Sequence, residues 1–332
     1  MMKSILSLFI LTLFSCSSVK EMEVYVPKPV LVPLPKDVKR IVIVDKTQRN
    51  FLTAIEGVLT GEMIGIDKIL SQQCTSGIKN PFLKNSSIQI TQHPERLKSE
   101  NMTSTGFGTV MNPVVIEQIA LQHNADALLV LEYFDSNFTV RDVASPNNVG
   151  TILFQGYAEA NVGIRIYLPK TQNIFYENSF SFSKLYGETA VNKAQLLGKL
   201  AIGTDAMKFV SYELGLFVGR GFVSYNTWED REIMKGKTDA TKRAERQIIA
   251  QDYKNAIQTL ENAYKIESKN DIKSTIAHNL GYCYEVEGDL QLSKKWLTEA
   301  FTISGSSKSQ RYLDIINNRI REQNILEEQR KK

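Results

Sequence analysis

The chain has 332 residues, 42% of them apolar, with 40 basic and 36 acidic side chains mixed along its length. That length and composition suit about two packed domains and exclude global disorder. A net charge of +4, with no field of a single sign, gives no case for nucleic acid as a partner; the most basic stretch, Arg330 to Lys332, reads as a solvated helix end.

Lys3 precedes an apolar run from Ile5 to Phe14, too short to cross a hydrocarbon layer of about 30 Å as a helix. Residues 1–15 read as a cleaved signal. The run closes on Leu13, Phe14, Ser15 and Cys16, which resembles the lipobox of bacterial lipoprotein precursors, Phe14 being bulkier than the usual occupant. A small residue before Cys16 lets a peptidase reach the bond, and the thiol accepts diacylglycerol. The resemblance implies a tri-acylated Cys16; with about 0.8 kcal/mol from each buried methylene, two or more acyl chains anchor stably. The expected location is the cell envelope, lipid-anchored at the outer membrane on its periplasmic or surface face. An ordinary signal peptide with a coincidental cysteine is the competing reading. After Phe14 no apolar stretch is long enough to span a membrane. Pro27, Pro29, Pro33 and Pro35 mark residues 16–36 as an extended spacer.

Residues 37–225 are expected to form a three-layer-type mixed-sheet α/β domain. VKRIVIVD, from Val38, has the pattern of a strand buried on both faces. A helix is expected from Phe51 to about Leu70, with Gly57, Gly61 and Gly65 letting it lie close to the sheet. A strand at Ser87–Thr91, a patternless loop to Asn112, and a helix opened by Asn112 and Pro113 follow. Ala125–Phe134 reads as an inner strand. Tyr157–Leu168 and Ile174–Ser183 alternate around a turn and form a hairpin. A helix from about Glu188 to Val218 covers the sheet. The order β-α-β-α-β-β-β-α, with "KRIVIVD" and "ADALLVLE" as strands, resembles the periplasmic α/β domains of assembly lipoproteins, such as activators of penicillin-binding proteins and the curli secretion lipoprotein.

Residues 226–332 are expected to be an α-helical, tetratricopeptide-like domain. Two 34-residue units align between Lys237 and Gly305. The second, from Ser274, has Ala277, Leu280, Gly281 and Tyr284, a turn at Gly288, then Leu290, Ser293, Leu297 and Ala300. The first has Tyr253, Ala256, Leu260 and Ala263 on its second helix. An insertion at Asp271–Lys273 separates them, and Ser309–Gln329 is a capping helix. Two units fall below the three usually needed for stability alone, so the array should lean on other structure. In tetratricopeptide arrays the first helix lines a concave surface, which the resemblance maps onto Thr275, His278, Tyr282 and Glu285 as a partner-binding face; a plain exposed helix face is the competing reading.

No catalytic constellation, phosphate loop or nucleophile elbow is present. His93, His123 and His278 have no companion at metal-ligand spacing and read as surface or helix-end residues, so neither metal nor cofactor is expected. Cys74 and Cys283 are expected as buried free thiols, with a bridge as the alternative in an oxidising compartment. Asp45, ending a buried strand with Lys46 and Arg49 after it, is the one candidate for an enzyme or small-ligand site. Trp228 to Arg231 form a polar and aromatic junction suited to structural docking. The whole chain resembles uncharacterised tetratricopeptide-bearing lipoproteins of the Bacteroidetes through the lipobox, the proline-rich stretch, "PKDVKRIVIVD" and the Trp228–Arg231 junction. The expected role is a protein-interaction or assembly factor in the envelope; the alternative is an envelope enzyme or small-ligand binder at Asp45.

Overall fold

Ile41, Val42, Ile43 and Val44 are all buried, which a strand achieves only when both faces are covered. In the computed structural model, which describes residues 18–47, 66–97, 106–144, 152–189 and 200–331, this strand is an inner strand of a mixed sheet. β1 is Val19–Lys28 and β2 is Arg40–Asp45. β2 lies parallel to both β3 (Gln89–Gln92) and β4 (Ala127–Ala144). β5 (Ile152–Leu168) and β6 (Asn173–Thr189) continue the sheet antiparallel, giving the order β3-β2-β4-β5-β6. Ile41 and Ile43 face a core with Cys74, Ile78 and Phe82 of α1 (Ile66–Asn85) and Val210, Leu214 and Val218 of α3 (Leu200–Arg220). Val42 and Val44 face Ile116, Ile119 and Ala120 of α2 (Pro113–His123) on the other side. The result is a three-layer α/β arrangement.

α2 begins as its sequence requires: Asn112 Oδ1 accepts from the Val114 amide at 2.9 Å, and Pro113 fills the first turn. Other boundaries differ from expectation. Phe51–Gly65 lie outside the described residues, and the helix that follows β2 runs on to Asn85. Among the described residues close helix packing is seen at Gly215 and Gly77: a Cβ on Gly215 would sit 1.9 Å from the Cys74 carbonyl oxygen, and one on Gly77 2.1 Å from that of Tyr212. β4 extends ten residues past Phe134, its polar end satisfied by pairing with β5 as far as Ala144↔Ile152. Glu188 and Thr189, expected to open a helix, end β6 instead.

The second compact unit contains residues up to Pro29 together with Asn226–Lys332; the first is Val30–Tyr225. The spacer expected over 16–36 is corrected here. Residues 19–28 alternate side chains and pair as β1 with β7 (Tyr225–Met234) in a two-stranded sheet. Val24 and Val26 of β1 and Ile233 of β7 are buried in the core of the helical unit, and that burial holds the extended segment, Pro27 included, in the fold as a strand. Five helices follow: α4 (Asp239–Ile249), α5 (Tyr253–Ile266), α6 (Asn270–Val286), α7 (Leu290–Ser304) and α8 (Ser307–Lys331). Gly281 admits Leu297, whose Cγ would lie 2.5 Å from a Cβ there, and Ser293 Oγ donates to the Gly281 carbonyl at 2.7 Å. Asp271–Lys273, expected as an insertion, are the first turn of α6.

Candidate functional site

Thr275, His278, Tyr282 and Glu285 share a face of α6, but it is a covered face: they are 8%, 1%, 0% and 2% exposed. The expectation of an open partner-binding surface is therefore corrected. The cover is the chain's own β1, β7 and α8. His278 Nε2 is 2.9 Å from the Glu232 carbonyl and its Nδ1 3.0 Å from Ser309 Oγ. Tyr282 donates to the Glu23 carbonyl at 3.4 Å, and Thr275 donates to the Asp271 carbonyl one turn back. Asn279, beside them, accepts from the Met234 amide and donates to the Met234 carbonyl, both at 2.8 Å, much as a neighbouring strand would.

Glu285 is the centre of this interior. Its carboxylate accepts from Arg231 Nε at 2.9 Å and Nη2 at 2.8 Å, from Arg319 Nη1 at 2.5 Å and from the Tyr312 hydroxyl at 2.5 Å. Arg231 also meets Glu229 at 3.0 Å. Burial, and next the charge of Glu285, holds the Tyr312 hydroxyl far above the ordinary phenol range. Desolvation opposes the charge on Arg231, yet its bonds to Glu285 raise its pKa further. The Trp228–Arg231 segment is thus a strand whose inward residues are fixed within the unit.

Its outward residues are not. Glu21, Glu23 and Tyr25 of β1 are exposed, as are Trp228 and Asp230 of β7. Trp228 is 62% and Tyr25 55% exposed, their ring centroids 4.9 Å apart at 46°. They line an open groove of about 710 Å³ with Tyr253, Tyr282 and Ile249.

In the α/β unit the residues after β2 form a dense polar network. Asp45 Oδ1 accepts from the Thr47 amide at 2.9 Å and hydroxyl at 2.6 Å, and Oδ2 from Ser71 at 2.8 Å; Arg96 Nε lies 3.4 Å away. Lys46 Nζ binds Glu132 at 2.9 Å and the Thr109 carbonyl at 2.5 Å. The pairing of β4 with β5 shifts register between Leu131 and Tyr133, so Glu132 is the residue a bulge re-aims inward, where Tyr167 donates to it at 2.8 Å and Arg165 approaches at 3.4 Å. Burial, then the Glu132 charge, pushes the Tyr167 hydroxyl well above its usual range. A cleft of about 600 Å³ adjoins Lys46, Thr109 and Asn112. Glu132 escaped sequence reasoning because its partners Arg165 and Tyr167 lie on another strand, β5; a lone Glu inside ADALLVLE was the one available signal.

His93 and His123 meet, Nδ1 to Nε2 at 3.0 Å, a companionship hidden by a separation of 30 positions in sequence. Burial and the neighbouring His123 lower the His93 pKa. His278, expected near the surface, is buried. Among the described residues no group of three or more His, Cys, Asp or Glu is arranged to hold a metal. Cys74 and Cys283 are free and buried, and burial pushes the Cys283 thiol up to about 12. Cys16 and Arg49 lie outside the described residues. Among the described residues no helix is long and apolar enough to cross a membrane.

Residues 38–233, more than half the chain, match the family model described as Domain of unknown function (DUF8603), and residues 242–322 match that described as Domain of unknown function (DUF6340). No curated protein matches. Among solved structures, a minor lipoprotein from Acinetobacter baumannii is 8% identical over 55% of this chain and 91% of its own, with a TM-score of 0.27. Uncharacterized lipoprotein B from Nitrosomonas europaea is 8% identical over 57% and 86%, TM-score 0.26. The hypothetical protein CT253 from Chlamydia trachomatis is 10% identical over 55% and 93%, TM-score 0.28. Likeness this slight has no bearing on function.

Proposed function

The chain belongs to the DUF8603 family, a domain of unknown function, and from that premise we propose that it is a lipid-anchored protein of the bacterial cell envelope that works as an interaction module. The anchor is Cys16, at the outer membrane, by its lipobox-like setting. Val19 already belongs to a strand, so at about 3.3–3.6 Å per residue the helical unit begins within about 10 Å of the acylated sulfur's backbone. Its helix pairs, with Gly281 against Leu297, carry the tetratricopeptide-like reading.

The observation that supports interaction is the outward face of β1 and β7: an open groove with Trp228 and Tyr25 largely exposed. Monomeric surfaces seldom leave two adjoining aromatic rings uncovered beside a cavity of ligand size, and Trp and Tyr are the residues that dominate binding hot spots. The other reading, an enzyme or small-ligand binder at Asp45, has less support, because Asp45, Lys46 and Glu132 are each committed to partners inside the unit. The test is affinity capture of the full chain from detergent-solubilised membranes. Wild type should retain a partner that Trp228→Ala/Tyr25→Ala loses; an unchanged set of captured proteins refutes the reading.

A further inference from the structure

The lining of the groove specifies the chemistry of its occupant. Three carboxylates, Glu21, Glu23 and Asp230, border it, and among the described residues its lining includes no lysine or arginine. Among the described residues none of the three enters an ion pair, unlike Glu229 and Glu285 close by, so the groove is acidic with no compensating cation in its lining. The strand pleat produces this acidity: alternate residues of β1 and β7 point outward, which puts Glu21, Glu23 and Tyr25 on the same side as Trp228 and Asp230.

We infer that this groove binds a cationic peptide segment of a partner protein, a lysine or arginine side chain seated on the Tyr25–Trp228 pair between Glu23 and Asp230. The inference rests on the helical unit acting as an interaction module. A ring pair with exposed faces attracts a cation through its quadrupole, and flanking carboxylates add charge-assisted hydrogen bonds that a neutral segment cannot use. At about 710 Å³ the groove falls within the range of ligand sites, about 300–1,000 Å³. Three uncompensated carboxylates make anionic lipid headgroups an unfavourable occupant.

The full chain in non-ionic detergent, carrying Trp296→Phe, has Trp228 as its sole tryptophan and reports directly from the groove. Short peptides alternating serine with lysine, glutamate or glutamine are titrated against its emission. The lysine peptide should shift the emission saturably, with an affinity that falls steeply as salt rises; the other two should leave it unchanged. Glu23→Gln/Asp230→Asn should weaken the lysine peptide by about tenfold or more while leaving thermal unfolding as in wild type. Equal response to all three peptides, or equal binding by the double variant, overturns the proposal. So does self-association that depends on Glu23 and Asp230 and is lost on removal of Arg330 to Lys332, which would make the occupant a second copy. If charge selectivity fails while membrane capture still depends on Trp228, only the cationic occupant is wrong; if both fail, the interaction module falls with it.

Discussion

Replacing Glu285 with glutamine keeps the size of the side chain and removes the charge that joins α6, α8 and β7. Arg231, 4% exposed, would keep Glu229 at 3.0 Å and its bond to the Asp230 carbonyl, but lose the full charge of its principal partner. Removing one partner of a buried ion pair costs about 3–5 kcal/mol. The surviving Glu229 contact places Glu285→Gln at the lower end, about 3 kcal/mol. At about 4 °C per kcal/mol for a unit of this size, the melting temperature falls by about 12 °C. The assay isolates the right unit, because both tryptophans, Trp228 and Trp296, lie in it, so tryptophan emission follows the helical unit alone. The triple variant Glu285→Leu/Arg231→Met/Arg319→Met removes the carboxylate and both of its guanidinium partners and should regain most of the loss. A fall below about 3 °C for Glu285→Gln, on the same scale, would show that the network is not what holds α8 and β7 to α6.

Three further outcomes follow from the packing and the ionisation. In Gly215→Ala the new Cβ would meet the Cys74 carbonyl at 1.9 Å, so α1 and α3 must separate at a cost of about 1–3 kcal/mol or more; amide exchange over Ile41–Asp45 should accelerate while tryptophan unfolding stays put, and unchanged exchange refutes the close packing. Burial lowers the His278 pKa, so the unfolded chain takes up the proton more readily; the stability is whole above about pH 6.5 and lost as pH falls below it. The tryptophan melting temperature should therefore drop between neutral and mildly acidic pH, and His278→Gln should flatten that drop; equal slopes would show that His278 does not carry it. Asp45→Ala strips acceptors from Ser71, Thr47 and Arg96 and should destabilise the α/β unit by about 1–3 kcal/mol for each donor left buried and unmet; a more stable variant would restore the case for a binding role at that end of the sheet.

The inner strand β2, the hairpin and the capped helix at Asn112 were legible because each is fixed by neighbours in sequence: a β-branched run, period-two alternation with a turn, an Asn-Pro cap. The far half of β4 was not. Its residues from Asp135 onward mix polar residues with Phe138, Val140 and Val143 and become strand by pairing with β5, a long-range partner that the sequence does not name. Gly215 and Gly77 were equally silent, since nothing in either segment says that the other helix's backbone will approach it.

The candidate site was half legible for a deeper reason. Thr275, His278, Tyr282 and Glu285 do form one face, as the helical spacing requires, and polar side chains on a helix face ordinarily mean solvent or a partner. Here the partner is the chain itself. A short array of helix pairs leaves its concave side uncovered, and β1, β7 and α8 supply the missing surface, apolar Val24, Val26 and Ile233 beside the hydrogen bonds to His278, Asn279 and Tyr282. That arrangement transfers recognition by one layer. Side chains on the inner face of β7 are consumed in holding the fold, so whatever the unit recognises must be read by the outer one, where alternation sets Trp228 and Asp230 beside Glu23 and Tyr25. Because β1 starts three residues after Cys16, the strand that completes this face is also the one closest in sequence to the proposed anchor.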